Sequence, residues 1–155
     1  MARDYTASVQ AVAASAAQDV YELNPADDKP VKITGFELGQ STDFGDANDE
    51  GVRIAVRRNN STSGSGGSTP SPIPGDPHDG AAGFTVEANN TTKASTGSPL
   101  VVAATTWSIR ASTAWWFPDN SAPGADQGSP RICVELVAAP ADSITIDSSV
   151  YVREF

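Results

Sequence analysis

Residues 52–57 read Val-Arg-Ile-Ala-Val-Arg, with Val52, Ile54 and Val56 in one phase and Arg53, Ala55 and Arg57 in the other. Side chains of an extended chain alternate between two faces, so one face here is apolar and the other carries two cations. A half-buried β-strand follows. The same period recurs downstream. Trp107, Ile109 and Ala111 alternate with Ser108, Arg110 and Ser112, and Ile144, Ile146, Val150 and Val152 alternate with Thr145, Asp147, Ser149 and Arg153. In Ile132–Val137 both phases hold apolar members, which predicts a strand covered on both faces near the centre of a sheet. Along Val31–Leu38 the apolar phase changes from Val31 and Ile33 to Phe36 and Leu38, with Gly35 at the switch, so a β-bulge is expected there. Shorter candidates are Tyr5–Val12, Val20–Leu23, Phe84–Ala88 and Leu100–Ala103. About eight strands separated by Gly, Pro, Asn and Asp clusters describe an all-β sandwich or barrel. Only Ala11–Ala17, rich in Ala, favours a helical turn.

The chain of 155 residues, 39% hydrophobic, is one domain's worth of sequence, 1–155, and needs no disulfide or metal staple to bury a core. Ten Lys and Arg against 19 Asp and Glu give a net charge of -9, which repels phosphate backbones and argues against nucleic acid as a partner. No apolar run reaches the roughly 18–20 residues that span a bilayer, and the first 19 residues carry Asp4 and lack a Leu/Ile-rich stretch, so neither a membrane span nor a signal peptide is expected.

Two stretches read as long exposed loops. Residues 59–83 are rich in Gly, Ser and Pro and too polar to offset their own ordering entropy, and residues 118–130 are similar in composition. Loops of this length are uncommon in compact domains and are often functional.

Few residues are equipped for catalysis, since the chain has one His and one Cys. The acidic run containing Asp43, Asp46, Asp49 and Glu50 invites calcium, but counted as an EF-hand loop from Asp46 its closing position holds Arg57, not a bidentate carboxylate. A solvated acidic turn is favoured, and no metal or cofactor is expected. His78, between Pro77 and Asp79 in the long loop, reads as a surface histidine because no nucleophile motif accompanies it. Cys133 reads as a small buried hydrophobe. The Asn-x-Ser/Thr sites at Asn59 and Asn90 read as turn residues. Trp115, Trp116 and Phe117 form the densest aromatic cluster. Neighbouring strand residues face opposite ways, so one Trp needs cover from a loop, a second subunit or a ligand. Subunit or loop packing is favoured, with a binding surface, either for protein or as a stacking platform for sugar rings, as the alternative.

Taken in order, AAQDVYELNPADDKPVKITGFELGQSTDFGDANDEGVRIAVRR, the loop ending DGAAGFTVEANNTT, and PRICVELVAAPADSITIDSSVYVREF resemble the capsid decoration (cement) proteins of tailed bacteriophages. The resemblance covers most of the chain and lies in turn and strand patterns. It implies an antiparallel jelly-roll sandwich with no active site. It also implies a homotrimer, made in the host cytoplasm, that sits on the outer surface of the virion head. There it would bind the major capsid protein at three-fold and quasi-three-fold positions. The acidic charge and the single Cys agree with an outer position and a reducing site of assembly. Within this frame the polar segment 1–8, with Ala2, Arg3, Asp4 and Tyr5, is the candidate docking arm, and Trp115, Trp116 and Phe117 are the candidate subunit contact. Rival readings are a carbohydrate-binding module and a host-adhesion module that uses the 59–83 loop. A carboxylate-dependent glycosidase comes last, because no acid pair stands out.

Overall fold

The computed structural model describes residues 1–42, 44–45, 49–126 and 131–155. Among the described residues eleven strands are present: β1 (Arg3–Ala14), β2 (Gln18–Asn24), β3 (Val31–Gln40), β4 (Gly51–Thr62), β5 (Ile73–Pro74), β6 (Thr85–Asn90), β7 (Ser95–Ser108), β8 (Thr113–Trp116), β9 (Gly124–Ala125), β10 (Ile132–Leu136) and β11 (Ile144–Glu154). They form two antiparallel sheets. The first runs β5-β1-β11-β3-β8, with β9 also paired to β3, and the second runs β6-β2-β10-β4-β7. Without β5, β6 and β9, the remaining eight strands lie in the order first-eighth-third-sixth in one sheet and second-seventh-fourth-fifth in the other.

The core lies between the sheets, where alternation predicts it. Phe36, Leu38, Ile146 and Val150 from the first sheet meet Leu23, Ile54, Val134 and Leu136 from the second, and all are buried. Each such side chain contributes roughly 1.5–3 kcal/mol by leaving water. Tyr21 spans the layers, its hydroxyl donating to the Ser148 carbonyl at 2.7 Å and accepting from Ser148 Oγ at 3.0 Å. β10 is the middle strand of its sheet and all five of its residues are buried, as its two apolar phases require. The expected bulge is also present: Tyr151 pairs with Gly35 but Val152 with Ile33, so one extra β3 residue is accommodated at the phase switch.

The structure corrects several expectations. The described residues form eleven strands, not about eight, because the two-residue β5 and β9 and the four-residue β8 are too short for alternation to reveal. Leu100–Ala103 and Trp107 belong to one strand, β7, while residues 109–112 form a turn in which Trp107 Nε1 donates to the Ala111 carbonyl at 2.6 Å. Ala11–Ala17 holds no helical turn, since β1 continues to Ala14 through a bulge at residues 10–11, where Ala11 adopts φ 54°. Sheet pairing with β11 outweighs alanine's helix propensity there.

Candidate functional site

The segment 1–8 is no free arm. Arg3 to Ser8 pair with Glu154 to Ser149 of β11, while Tyr5 and Ala7 are buried in the core. Tyr5 stands edge-on to Phe84 at 5.6 Å and donates to the Gly80 carbonyl at 3.1 Å. Arg3 pairs with Asp79, and Asp4 takes both Nε and Nη2 of Arg153 at 2.8 and 3.2 Å. Only Met1 and Ala2 lie outside β1. An N-terminal strand of this kind cannot wait disordered for a partner without giving up core contacts.

The stretch 59–83 is exposed over Ser65–Thr69 yet is not structureless. Its first residues end β4, and Ser65 and Ser68 form bridges with Thr92 and Ala88, the latter through paired backbone bonds of 2.9 and 2.8 Å. This flap crosses the β6 edge, and its glycines permit the approach: a Cβ on Gly67 would meet Asn90 Oδ1 at 2.6 Å, with the Ala88 carbonyl closer still. Of the second loop, residues 127–130 lie outside the described residues. Its described part contains β9.

Beneath the flap, on the outer face of the second sheet, lies a layer of charges that the sequence reading did not assemble. Among the described residues it contains Asp19, Glu22, Glu87 and Glu135 with Arg57, Lys93 and Arg131. Glu22 accepts from Ser63 Oγ at 2.7 Å, the Gly64 amide at 2.8 Å and Asn90 Nδ2 at 3.1 Å, and faces Arg131 Nε at 2.9 Å. Glu135 pairs with Arg57 and Lys93 at 3.2 and 3.1 Å. Asp19 accepts the Ala94 amide at 2.6 Å, while its Oδ1 has no hydrogen bond and Arg57 Nη2 stands 3.9 Å away. Burial pushes the Asp19 carboxyl up to about 7, against the opposing pull of the Ala94 amide and Arg57. The layer holds the flap down. Glu135 borders a surface pocket of about 420 Å³ with Arg53 and Val101, and Glu87 one of about 200 Å³ beside the flap glycines.

The remaining candidates fall as follows. Cys133 is fully buried, and burial together with Asp19 and Glu22 pushes its thiol far up, away from thiolate chemistry. His78 lies in an exposed turn, its amide and Nδ1 bonded to Asp76 Oδ1 at 2.9 and 3.1 Å. Those two bonds lower the Asp76 carboxyl. Asn59 is half-buried in β4 with a left-handed φ of 68°, while Asn90 is buried, not an exposed turn residue, and bonds both Glu22 and Glu87. Asp43, Asp46 and Asn48 of the acidic run lie outside the described residues. Among the described residues no three His, Cys, Asp or Glu side chains are grouped to hold a metal ion.

Two surfaces stand out. The first is the outer face of the β1-β11-β3-β8 sheet. Trp115 and Phe117 turn inward onto Phe36, at ring separations of 5.6 and 6.3 Å, so Trp116 alone of the aromatic cluster faces solvent. It is 55% exposed and lies beside Tyr151, 4.7 Å between centroids. Its ring covers Gly35, where a Cβ would come within 2.8 Å of Cζ3. The register sets residues in rows across this face: Trp116, Gly35, Tyr151 and Thr6, then Ala114, Glu37, Ser149 and Ser8, then Gly39 and Asp147. Tyr151 donates to Glu37 Oε2 at 3.1 Å, and Asp147 accepts the bulged Ala11 amide at 2.8 Å. Ser8, Glu37, Gly39, Ala114, Asp147 and Ser149 border a cleft of about 530 Å³.

The second surface is β7. It ends its sheet, runs 14 residues without one charged side chain, and leaves Leu100, Val101 and Val102 exposed. The other sheet ends are short, as at β5 and β8, or crossed by the flap, as at β6. Natural edge strands are normally blunted by charge, brevity or cover. β7 carries Pro99 and two irregularities in its pairing with β4, but no charge.

No family model matches this chain, and neither a curated protein nor a solved structure does so.

Proposed function

We propose that this protein is a non-enzymatic decoration protein of a tailed-bacteriophage head, which docks on the outer surface of the assembled capsid and stabilises it. The observation that carries the reading is β7: a long, uncharged, partly apolar edge on a molecule of net charge -9. An edge of this kind takes a partner by adding a strand or by covering the apolar residues. With β5, β6 and β9 set aside, the strand order of the two sheets is the one that two Greek keys produce in a jelly roll, which supports the fold implied by the resemblance. In this reading the partner is the major capsid protein, the bound form is a trimer at three-fold and quasi-three-fold positions, and β7 replaces the N-terminal segment as the docking element. Stabilisation follows from mass action: a protein that binds only the assembled shell adds RT ln(1 + [L]/Kd) at each site.

The test is co-sedimentation of purified protein with undecorated heads, wild type beside Val101→Lys. Val101 is 61% exposed, so the variant keeps its core while placing a charge on the edge. Saturation at a fixed ratio to the major capsid protein, with at least tenfold weaker binding by Val101→Lys, is the expected result. No binding by the folded wild type overturns the decoration reading, and equal binding by the variant overturns the assignment of β7.

A further inference from the structure

We propose that the outer face of the β1-β11-β3-β8 sheet is a glycan-binding cleft, with Trp116 as stacking platform and a β-linked gluco-configured oligosaccharide as its class of ligand. Trp116 rests one face of its ring on Gly35 and Tyr151 and remains 55% exposed. An exposed indole face is negatively polarised and attracts the C–H groups of a flat sugar ring. A β-gluco-configured ring suits it best, because its hydroxyls are equatorial and its two faces present only axial C–H.

The rows beside Trp116 supply what a second and third sugar would need. Glu37 lies two residues along β3 from Gly35 and Gly39 two further, so Trp116 and the Asp147 row are about 13 Å apart, the length of two to three pyranose units. Ser8, Gly39, Ala114 and Ser149 are small, and they leave the cleft of about 530 Å³, within the range of small-molecule sites. Glu37 and Asp147 border it as acceptors for sugar hydroxyls, while the Ser8 and Ser149 hydroxyls bond each other at 2.8 Å and offer a further donor and acceptor. Tyr151 donates to Glu37 and thereby links the platform to the first acceptor. The cleft is open at the surface, which suits an extended chain better than a single enclosed sugar. This surface belongs to the sheet that does not contain β7, so glycan binding and shell docking use separate faces and stand or fall separately.

The experiment titrates cellohexaose and laminarihexaose, the β-1,4 and β-1,3 glucose hexamers, into the purified chain. Calorimetry and backbone amide shifts serve as readouts. At least one hexamer binds with Kd on the order of 0.1–1 mM, the strength expected of a single platform with a few hydrogen bonds, and shifts the amides of Glu37, Gly39, Ala114 and Ser149. Trp116→Ala weakens binding at least tenfold, Trp116→Phe restores part of it, and Ala114→Arg, which fills the cleft from an exposed strand position and offers Glu37 a cation, abolishes it. Absence of binding by either hexamer up to about 10 mM, roughly tenfold above the weakest expected Kd, overturns the proposal. So does binding that survives both Trp116→Ala and Ala114→Arg. A fall in oligomeric mass of Trp116→Ala without any sugar binding by the wild type would make Trp116 a subunit contact instead.

Discussion

Replacing Glu22 by Ala tests whether the Gly/Ser flap is a held part of the fold. The side chain is 1% exposed and serves four partners: Ser63, Gly64 and Asn90 donate to it, and Arg131 stands 2.9 Å from Oε1. Charge-assisted hydrogen bonds contribute about 1.5–3 kcal/mol each and are not additive, and removing one member of a buried ion pair costs about 3–5 kcal/mol because the other charge is stranded. We therefore expect Glu22→Ala to lose about 4 kcal/mol. A domain of this size has about 5–15 kcal/mol in all, so the loss corresponds to a fall of about 10 °C in Tm. Urea unfolding followed by tryptophan fluorescence measures it, with the slope m unchanged if the native state stays compact. Glu22→Gln, which keeps the shape and one acceptor, should lose less. Adding Arg131→Met to Glu22→Ala should recover more than about 1 kcal/mol, since it removes the stranded cation. A Glu22→Ala protein within about 1 kcal/mol of wild type at equal m would refute the reasoning, because the layer would then contribute little to holding the flap.

Two further outcomes follow from the same structure. Asp19 titrates near 7 in the folded chain and at 3.8 as its ordinary value, so the folded state retains a proton that the unfolded state has released. Its contribution is present at low pH and is lost as pH rises from about 4 to about 7, by at most about 4 kcal/mol. The stability difference between wild type and Asp19→Asn should change across that window and be flat above it, and a pH-independent difference counts against a buried protonated Asp19. Deleting residues 1–8 removes Tyr5 and Ala7 from the core and more than half of the β1–β11 pairing, so circular dichroism should show loss of the cooperative transition. A deletion protein that melts like wild type would restore the segment as an arm.

The parts of the fold legible in the sequence are those where one face is buried and the other wet. Val52–Arg57 and Ile144–Arg153 show this directly, and the phase change at Gly35 marks a real bulge. In the sequence β7 reads as separate pieces because only Trp107 of its 14 residues is buried, so no phase is imposed on the rest. Tyr5, Ala7 and Val9 alternate with polar residues, and that pattern outweighs the polarity that suggested an arm. The charged layer left one trace, Glu135 inside an otherwise apolar strand with both faces covered. Its partners Asp19, Arg57, Lys93 and Arg131 come from other strands and connections, which composition cannot bring together. Of the aromatic cluster, the division between the two Trp residues was legible, but which one faces solvent depends on the β3–β8 register.

The contrast between the flap and the turn that follows it bears on where the molecule would accept a guest peptide. Ser63–Thr69 resembles the spacers that engineers cut open to insert tags, yet each glycine there lies against backbone or side chains of β6 and the segment after it, and an insertion would unseat Glu22. Pro77 and His78 are exposed, and the side-chain and amide bonds of His78 are local, to Asp76, while the anchors on either side, Gly75 to Asp4 and Gly80 to Tyr5, hold the stem. Foreign sequence displayed between Pro77 and His78 would leave both sheets as they are.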